Sequence, residues 1–191
     1  MRGGPRSRRH EARVDRTTAT EWGPRRGGGR VARRKGEGGS EEAIVLDTNT
    51  VIAGLLRNGF TRRLILLVSR TRPTYYPQVL LEEVEEHLEE LASRTHVDPE
   101  SLRDAVRLLL SDARRISTEE IQGYLHEATR YVRDLDDAFF VASALLLRER
   151  YPRVILLSWN LRNYDLDSLA RLQIEVLTPP RYAREIARQE Q

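Results

Sequence analysis

Two runs constrain this chain more than any other feature: Ala43-Ile44-Val45-Leu46 and Val154-Ile155-Leu156-Leu157. Each is apolar without a break, and each ends in polar residues with turn or capping chemistry, Asp47-Thr48-Asn49 and Ser158-Trp159-Asn160. A strand with one wet face alternates. An unbroken apolar run of this length is instead a strand covered on both faces, as in parallel sheets flanked by helices. Thr74-Tyr75-Tyr76 and Ile174-Glu175-Val176-Leu177 are shorter strand candidates.

Between these runs the apolar period becomes that of helices. Val51–Leu56 and Leu64–Val68 read as helical pieces broken at Asn58-Gly59. Pro77 suits the first position of a helix that carries Val79, Leu80, Val84, Leu88 and Leu91 on one face. Asp98-Pro99 opens a further helix, and Ser117-Thr118-Glu119-Glu120 is a capped start followed by Ile121, Leu125, Ala128 and Val132. Leu135 to Leu147 reads as a long apolar helix opening among acids, and Pro179-Pro180 leads into a last helix. Alternating strands and helices predict an α/β fold, a three-layer α/β/α arrangement with a central parallel sheet.

Composition narrows the chemistry. The 191 residues suffice for one domain and an appendage, and no cysteine is present, which excludes disulfides, thiolate zinc sites and cysteine nucleophiles. No apolar stretch is long enough to cross a bilayer and no secretory signal is visible, so a cytoplasmic protein without membrane attachment is expected. Residues 1–42 hold 12 basic and 6 acidic side chains, against 20 and 23 in the remainder. This segment is Arg/Gly-rich with almost nothing to bury, so a disordered basic tail over 1–42 is expected ahead of a folded domain over 43–191. Such a tail can track nucleic-acid phosphates or simply be solvated. Lys35, in the tail, is the only lysine.

Acids stand where a sheet of this kind gathers its strand ends. Asp47 follows the first strand, at the carboxyl edge where open α/β sheets place ligands. Taken alone it could equally be a helix cap, and Thr48 or Asn49 could cap the next helix. Asp134, Asp136 and Asp137 crowd the start of the Leu135–Leu147 helix. Glu82 falls on the exposed face of its helix with Glu86 and Glu89, whereas Glu83, directly before Val84, lies nearer the apolar face. Carboxylates gathered in one cleft repel one another, and a hard divalent cation relieves them. Mg²⁺ or Mn²⁺ held in this way can activate water and steady an oxygen leaving phosphorus.

From about Ala43 to Leu177 the pattern resembles the PIN-domain ribonucleases, which include the toxins of many prokaryotic toxin–antitoxin pairs. Leu46-Asp47-Thr48-Asn49 is similar to the family's opening motif and Val79-Leu80-Leu81-Glu82-Glu83-Val84 to its second-acid helix. Asp136-Asp137-Ala138-Phe139-Phe140-Val141-Ala142-Ser143-Ala144 is similar to its third motif. Leu157-Ser158-Trp159-Asn160-Leu161-Arg162-Asn163-Tyr164 resembles the fourth, with amides where the family has acids. The resemblance implies Asp47, Glu83 and Asp137 as ligands of one Mg²⁺ or Mn²⁺, with Asn160 beside them. Thr48, Asn49, Asp134, Asp136, Ser158 and Asp165 are implied as accessory residues. It further implies hydrolysis of RNA phosphodiesters, a homodimer and, for a toxin, an antitoxin partner. The alternative is a PIN-like module that binds RNA or protein without cutting, favoured by the amides of the fourth motif.

Other assignments fare worse. Dehalogenase-like phosphatases and receiver domains need a lysine that the body lacks, and neither GxxxxGKS/T nor GxGxxG is present. His10, His87, His96 and His126 show no ligand-like spacing. Arg57, Arg62, Arg63 and Arg162 are candidate phosphate contacts. Trp159 could stack a base, though a tryptophan in such a place more often packs.

Overall fold

The computed structural model describes residues 41–56 and 59–189. The expected tail over 1–40, His10, Arg57 and Asn58 lie outside the described residues. Five strands, β1 (Glu42–Leu46), β2 (Thr74–Pro77), β3 (Arg114–Ile116), β4 (Arg153–Leu157) and β5 (Ile174–Leu177), form one sheet ordered β3-β2-β1-β4-β5. All pairings are parallel. The apolar runs explain the order: β1 and the last four residues of β4 are buried throughout, so they take the centre. Buried aliphatic side chains contribute roughly 1.5–3 kcal/mol each, which holds these two strands against each other.

Among the described residues, eight α-helices flank the sheet: α1 (Thr48–Leu56), α2 (Phe60–Thr71), α3 (Val79–Thr95), α4 (Pro99–Leu109), α5 (Thr118–Ala128), α6 (Ala138–Arg148), α7 (Leu166–Arg171) and α8 (Pro179–Gln189). Helix α6 packs directly on β1, β2, β4 and β5, and α5 lies against α6. That explains why α6 is apolar nearly all round, with Phe140, Val141, Ala142, Ala144 and Leu147 buried. Gly54 lets α1 approach its neighbours, since a Cβ there would meet Ile65 Cδ1 and Leu109 Cδ2, each at 3.2 Å. No helix among the described residues is long and apolar enough to cross a membrane.

The local signals hold in part. Ser117 and Glu120 form the expected capping box and Asp98 caps α4 through the Ser101 amide at 2.9 Å. Pro77 ends β2 rather than opening α3. The helix expected from Leu135 begins only at Ala138, leaving Leu135 exposed and the acids before it in bends. Val132 lies past α5, in an isolated antiparallel bridge with Tyr164. Strand β1 starts at Glu42, a residue assigned to the tail from composition. Its carboxylate is buried against Arg72 and Arg153 and draws the chain into the sheet one residue early.

Candidate active site

Leu46 pairs with Leu157, so the next residues, Asp47 and Ser158, stand side by side past the carboxyl ends of β1 and β4. Backbone bonds carry the ladder one step further: Asp47 N–H donates to Leu157 O at 3.2 Å and Ser158 N–H to Leu177 O at 3.1 Å. The chain builds outward through β2 and β3 on one side of β1, then returns to build β4 and β5 on the other. The β1–β4 boundary is thus the switch point at which such sheets leave a crevice.

Asp47 is 1% exposed. Its Oδ1 accepts the Asn49 N–H at 2.6 Å, so Asp47 itself caps α1, and Thr48 and Asn49 are helix residues instead of the expected caps. Capping uses one oxygen only. The other, Oδ2, accepts from the Tyr164 hydroxyl at 3.1 Å. Asp137, buried directly before α6, makes no side-chain cap. Its Oδ2 accepts from the Asn163 amide at 2.6 Å and its Oδ1 from the same Tyr164 hydroxyl at 3.2 Å. Two carboxylates more than eighty residues apart therefore converge on one phenol.

Asn163 and Tyr164 reach these acids because a 3₁₀ turn at Leu161–Asn163 folds the chain back after β4. The turn is held by Arg133 N–H to Asn163 O and Asp165 N–H to Tyr131 O, both 2.8 Å, on either side of the Val132–Tyr164 bridge. Beside Tyr164 opens a cleft of about 470 Å³ whose lining includes Arg130, Tyr131 and Arg133.

Electrostatics set these acids apart. Burial pushes the Asp47 carboxyl up; Ser158, the Asn49 amide and Tyr164 pull it down, and Asp137 adds repulsion. Asp137 is likewise raised, first by burial and then by Asp134 and Asp136, against the bonds from Asn163 and Tyr164. Half-buried Glu83, on α3, is pushed up to about 7 by burial and by Asp47, Asp137 and Asp136, with the Thr48 hydroxyl opposing. That hydroxyl is buried and makes no close hydrogen bond, an orphaned oxygen facing the acids. Among the described residues, no salt bridge reaches any of the three.

As the side chains stand, no three His, Asp or Glu residues among those described close around a single point. Asp47 and Asp137 form the centre, and Glu83 couples to them through charge without joining the cluster. The donor set still fits a hard cation: carboxylate oxygens, an unpartnered hydroxyl, and burial that leaves negative charge uncompensated.

The remaining sequence candidates separate clearly. Ser158 is buried beside Asp47 and accepts the Asn160 N–H at 3.0 Å, so Asn160 enters through its backbone. The amide that reaches an acid is Asn163. Asp165 turns outward and caps α7 through the Ser168 N–H at 3.2 Å, which removes it from the accessory set. Asp134 and Asp136 are exposed and reach Asp137 by charge, and the Asp134 Oδ1 accepts the Asp136 N–H at 3.2 Å. Glu82 is exposed, as expected. Arg62 donates to Gly54 O at 2.8 Å and Leu55 O at 3.1 Å, so it clamps the end of α1 rather than waiting for phosphate. Arg63 and Arg162 are exposed. Trp159 is 44% exposed beside Ser158, contrary to the expectation that it packs. The role of Tyr164 was missed; its signal was a phenol, directly after the second amide of the fourth motif.

A family model described as PIN domain matches residues 45–149, more than half the chain. The fold is similar to that of a chain in the crystal structure of VapBC2 from Rickettsia felis bound to a DNA fragment from their promoter. The TM-score is 0.52 at 12% identity, over 71% of this chain and 98% of that one. No curated protein matches.

Proposed function

The chain belongs to the PIN-domain family, and from that premise we propose that it is a ribonuclease that cuts phosphodiester bonds with a divalent cation. One observation carries the reading: Asp47 and Asp137, from two separate segments, converge at the sheet's switch point with Glu83 coupled to them by charge, and none of the three has a basic partner among the described residues. A purely structural site would have no reason to bury repelling charge, because each uncompensated carboxylate costs stability.

Asp47 and Asp137 are the residues that would hold Mg²⁺ or Mn²⁺, with Glu83 as the third carboxylate at the rim. The bound ion supplies positive charge that polarises water and steadies the oxygen leaving phosphorus. The protein does the rest. The Asn49 N–H and the Asn163 amide fix one oxygen of each central acid, so both carboxylates keep their orientation without rearranging during reaction. Glu83, pushed up to about 7 in the protein without a cation, holds a proton close to neutral pH that it would give up on binding one. Exposed Trp159 offers a face on which a base of single-stranded RNA stacks, and Arg130 and Arg133 lie along the neighbouring cleft for its phosphates. The likeness to VapBC2 supports a toxin with an antitoxin partner, and family membership supports the homodimer. The non-cutting module rests on Asn163, whose amide is spent on Asp137 and adds no negative charge.

The test uses labelled single-stranded RNA with Mn²⁺, Mg²⁺ or EDTA. Wild type should cut only with metal, and Asp47→Asn and Asp137→Asn should fall to background. Cleavage that survives in both variants, or that EDTA does not stop, defeats the reading.

A further inference from the structure

Each central carboxylate has one oxygen committed to a fixed donor, Asp47 Oδ1 to the Asn49 N–H and Asp137 Oδ2 to the Asn163 amide, and the Ser158 hydroxyl also bonds the Asp47 carboxylate. The two oxygens left, Asp47 Oδ2 and Asp137 Oδ1, both face the Tyr164 hydroxyl, at 3.1 and 3.2 Å. These are the oxygens most available to a cation. The hydroxyl stands between them on a ring that is only 5% exposed, so it cannot swing freely to solvent.

A phenol has one proton to give. It can satisfy one carboxylate fully, and the second contact then sets oxygen against oxygen. We propose that Tyr164 is a positioning residue that competes with the divalent cation: its hydroxyl ties Asp47 to Asp137 in the metal-free protein and must surrender at least one of those bonds when the cation enters. A cation serves both oxygens where the phenol serves one, so loading is favourable but weaker than the acids alone would give. Tyr164 thus limits occupancy of the site by metal. The inference rests on the cation-site reading above and adds to it the residue that tunes affinity.

Calorimetric Mn²⁺ titration of the full chain, wild type against Tyr164→Phe, tests it without reference to cleavage. The variant keeps the ring and loses only the competing hydroxyl. It should bind Mn²⁺ about fivefold more tightly, the size expected for one hydrogen bond lost from the metal-free state. In EDTA it should melt below wild type, since the two acids lose their tether. A second readout needs no variant: Mn²⁺ should shift the near-ultraviolet tyrosine band of wild type, and the Tyr164→Phe protein should lack that shift. Equal or weaker Mn²⁺ binding by Tyr164→Phe, or an unchanged tyrosine band in wild type that does bind Mn²⁺, overturns the competition and leaves the cation site standing. Failure of wild type itself to bind Mn²⁺ overturns the cation site and this inference with it.

Discussion

Strand β1 carries a buried acid at each end, and the two could hardly be housed more differently. Glu42, at the amino end, accepts from Arg72 Nε at 2.8 Å, Arg153 Nη1 at 3.1 Å and the Tyr182 hydroxyl at 2.6 Å. Arg153 continues the network to Glu175 and Glu185. Asp47, just past the carboxyl end, has only neutral donors and faces further acids. Burial is common to both, so burial alone marks nothing. What separates the anchor from the candidate site is whether the surroundings cancel the charge. A cancelled acid serves the fold; an uncancelled one is held ready for a ligand from outside.

The sharpest way to break this contrast is to neutralise each acid in turn. Glu42→Gln takes the charge away from the partly buried Arg72 and Arg153, of which Arg153 keeps Glu175 and Glu185, and should cost about 2 kcal/mol in denaturant unfolding, while leaving cleavage by the folded protein intact. Asp47→Asn should do the reverse, abolishing cleavage and leaving metal-free stability within about 0.5 kcal/mol of wild type or higher, since asparagine caps a helix as well as aspartate. A large stability loss at Asp47 would show that its charge is balanced after all. The next test restores an acid where the amide stands. Asn163→Asp sets a carboxylate against Asp137, and should tighten Mn²⁺ about tenfold in calorimetry while lowering the metal-free melting temperature. Trp159→Ala should weaken RNA binding by about 1 kcal/mol, or fivefold, seen as a higher KM at unchanged kcat.

A further test is in pH. Glu83 keeps its proton in the folded protein up to about 7, whereas the unfolded chain releases it near the ordinary 4.5. A raised acid therefore favours the fold most below 4.5, and that support drains away as pH climbs to about 7. Melting scans in EDTA should show this fall, and Glu83→Gln should flatten it.

Half of this contrast was legible in the sequence, since Glu42 read as tail. The aliphatic runs of β1 and β4 admit one kind of sheet, Asp47 and Asp137 stand at element edges, and Glu83 lies beside the apolar face of α3. Strand β3 escaped because an edge strand of Arg114-Arg115-Ile116 buries one residue and shows no run. Helix α7 is a turn and a half long, too short for a period, and with it went the capping role of Asp165. Tyr164 escaped for a different reason. Which way a phenol points depends on the 3₁₀ turn before it and on the bridge to Val132, neither of which leaves a periodic trace.

That bridge has a consequence for how this chain can vary over generations. Residues 131–133 and 163–165 lie some thirty positions apart, yet two backbone bonds and the bridge sew them into one seam, with Asp137 just beyond one side and Tyr164 on the other. An insertion on either side would drag an acid away from its phenol, so neither loop can change length alone. The stitches themselves are main-chain atoms, so they make no demand on the side chain of Arg133, whereas Asn163, Tyr164 and Asp165 are held by what their side chains bond.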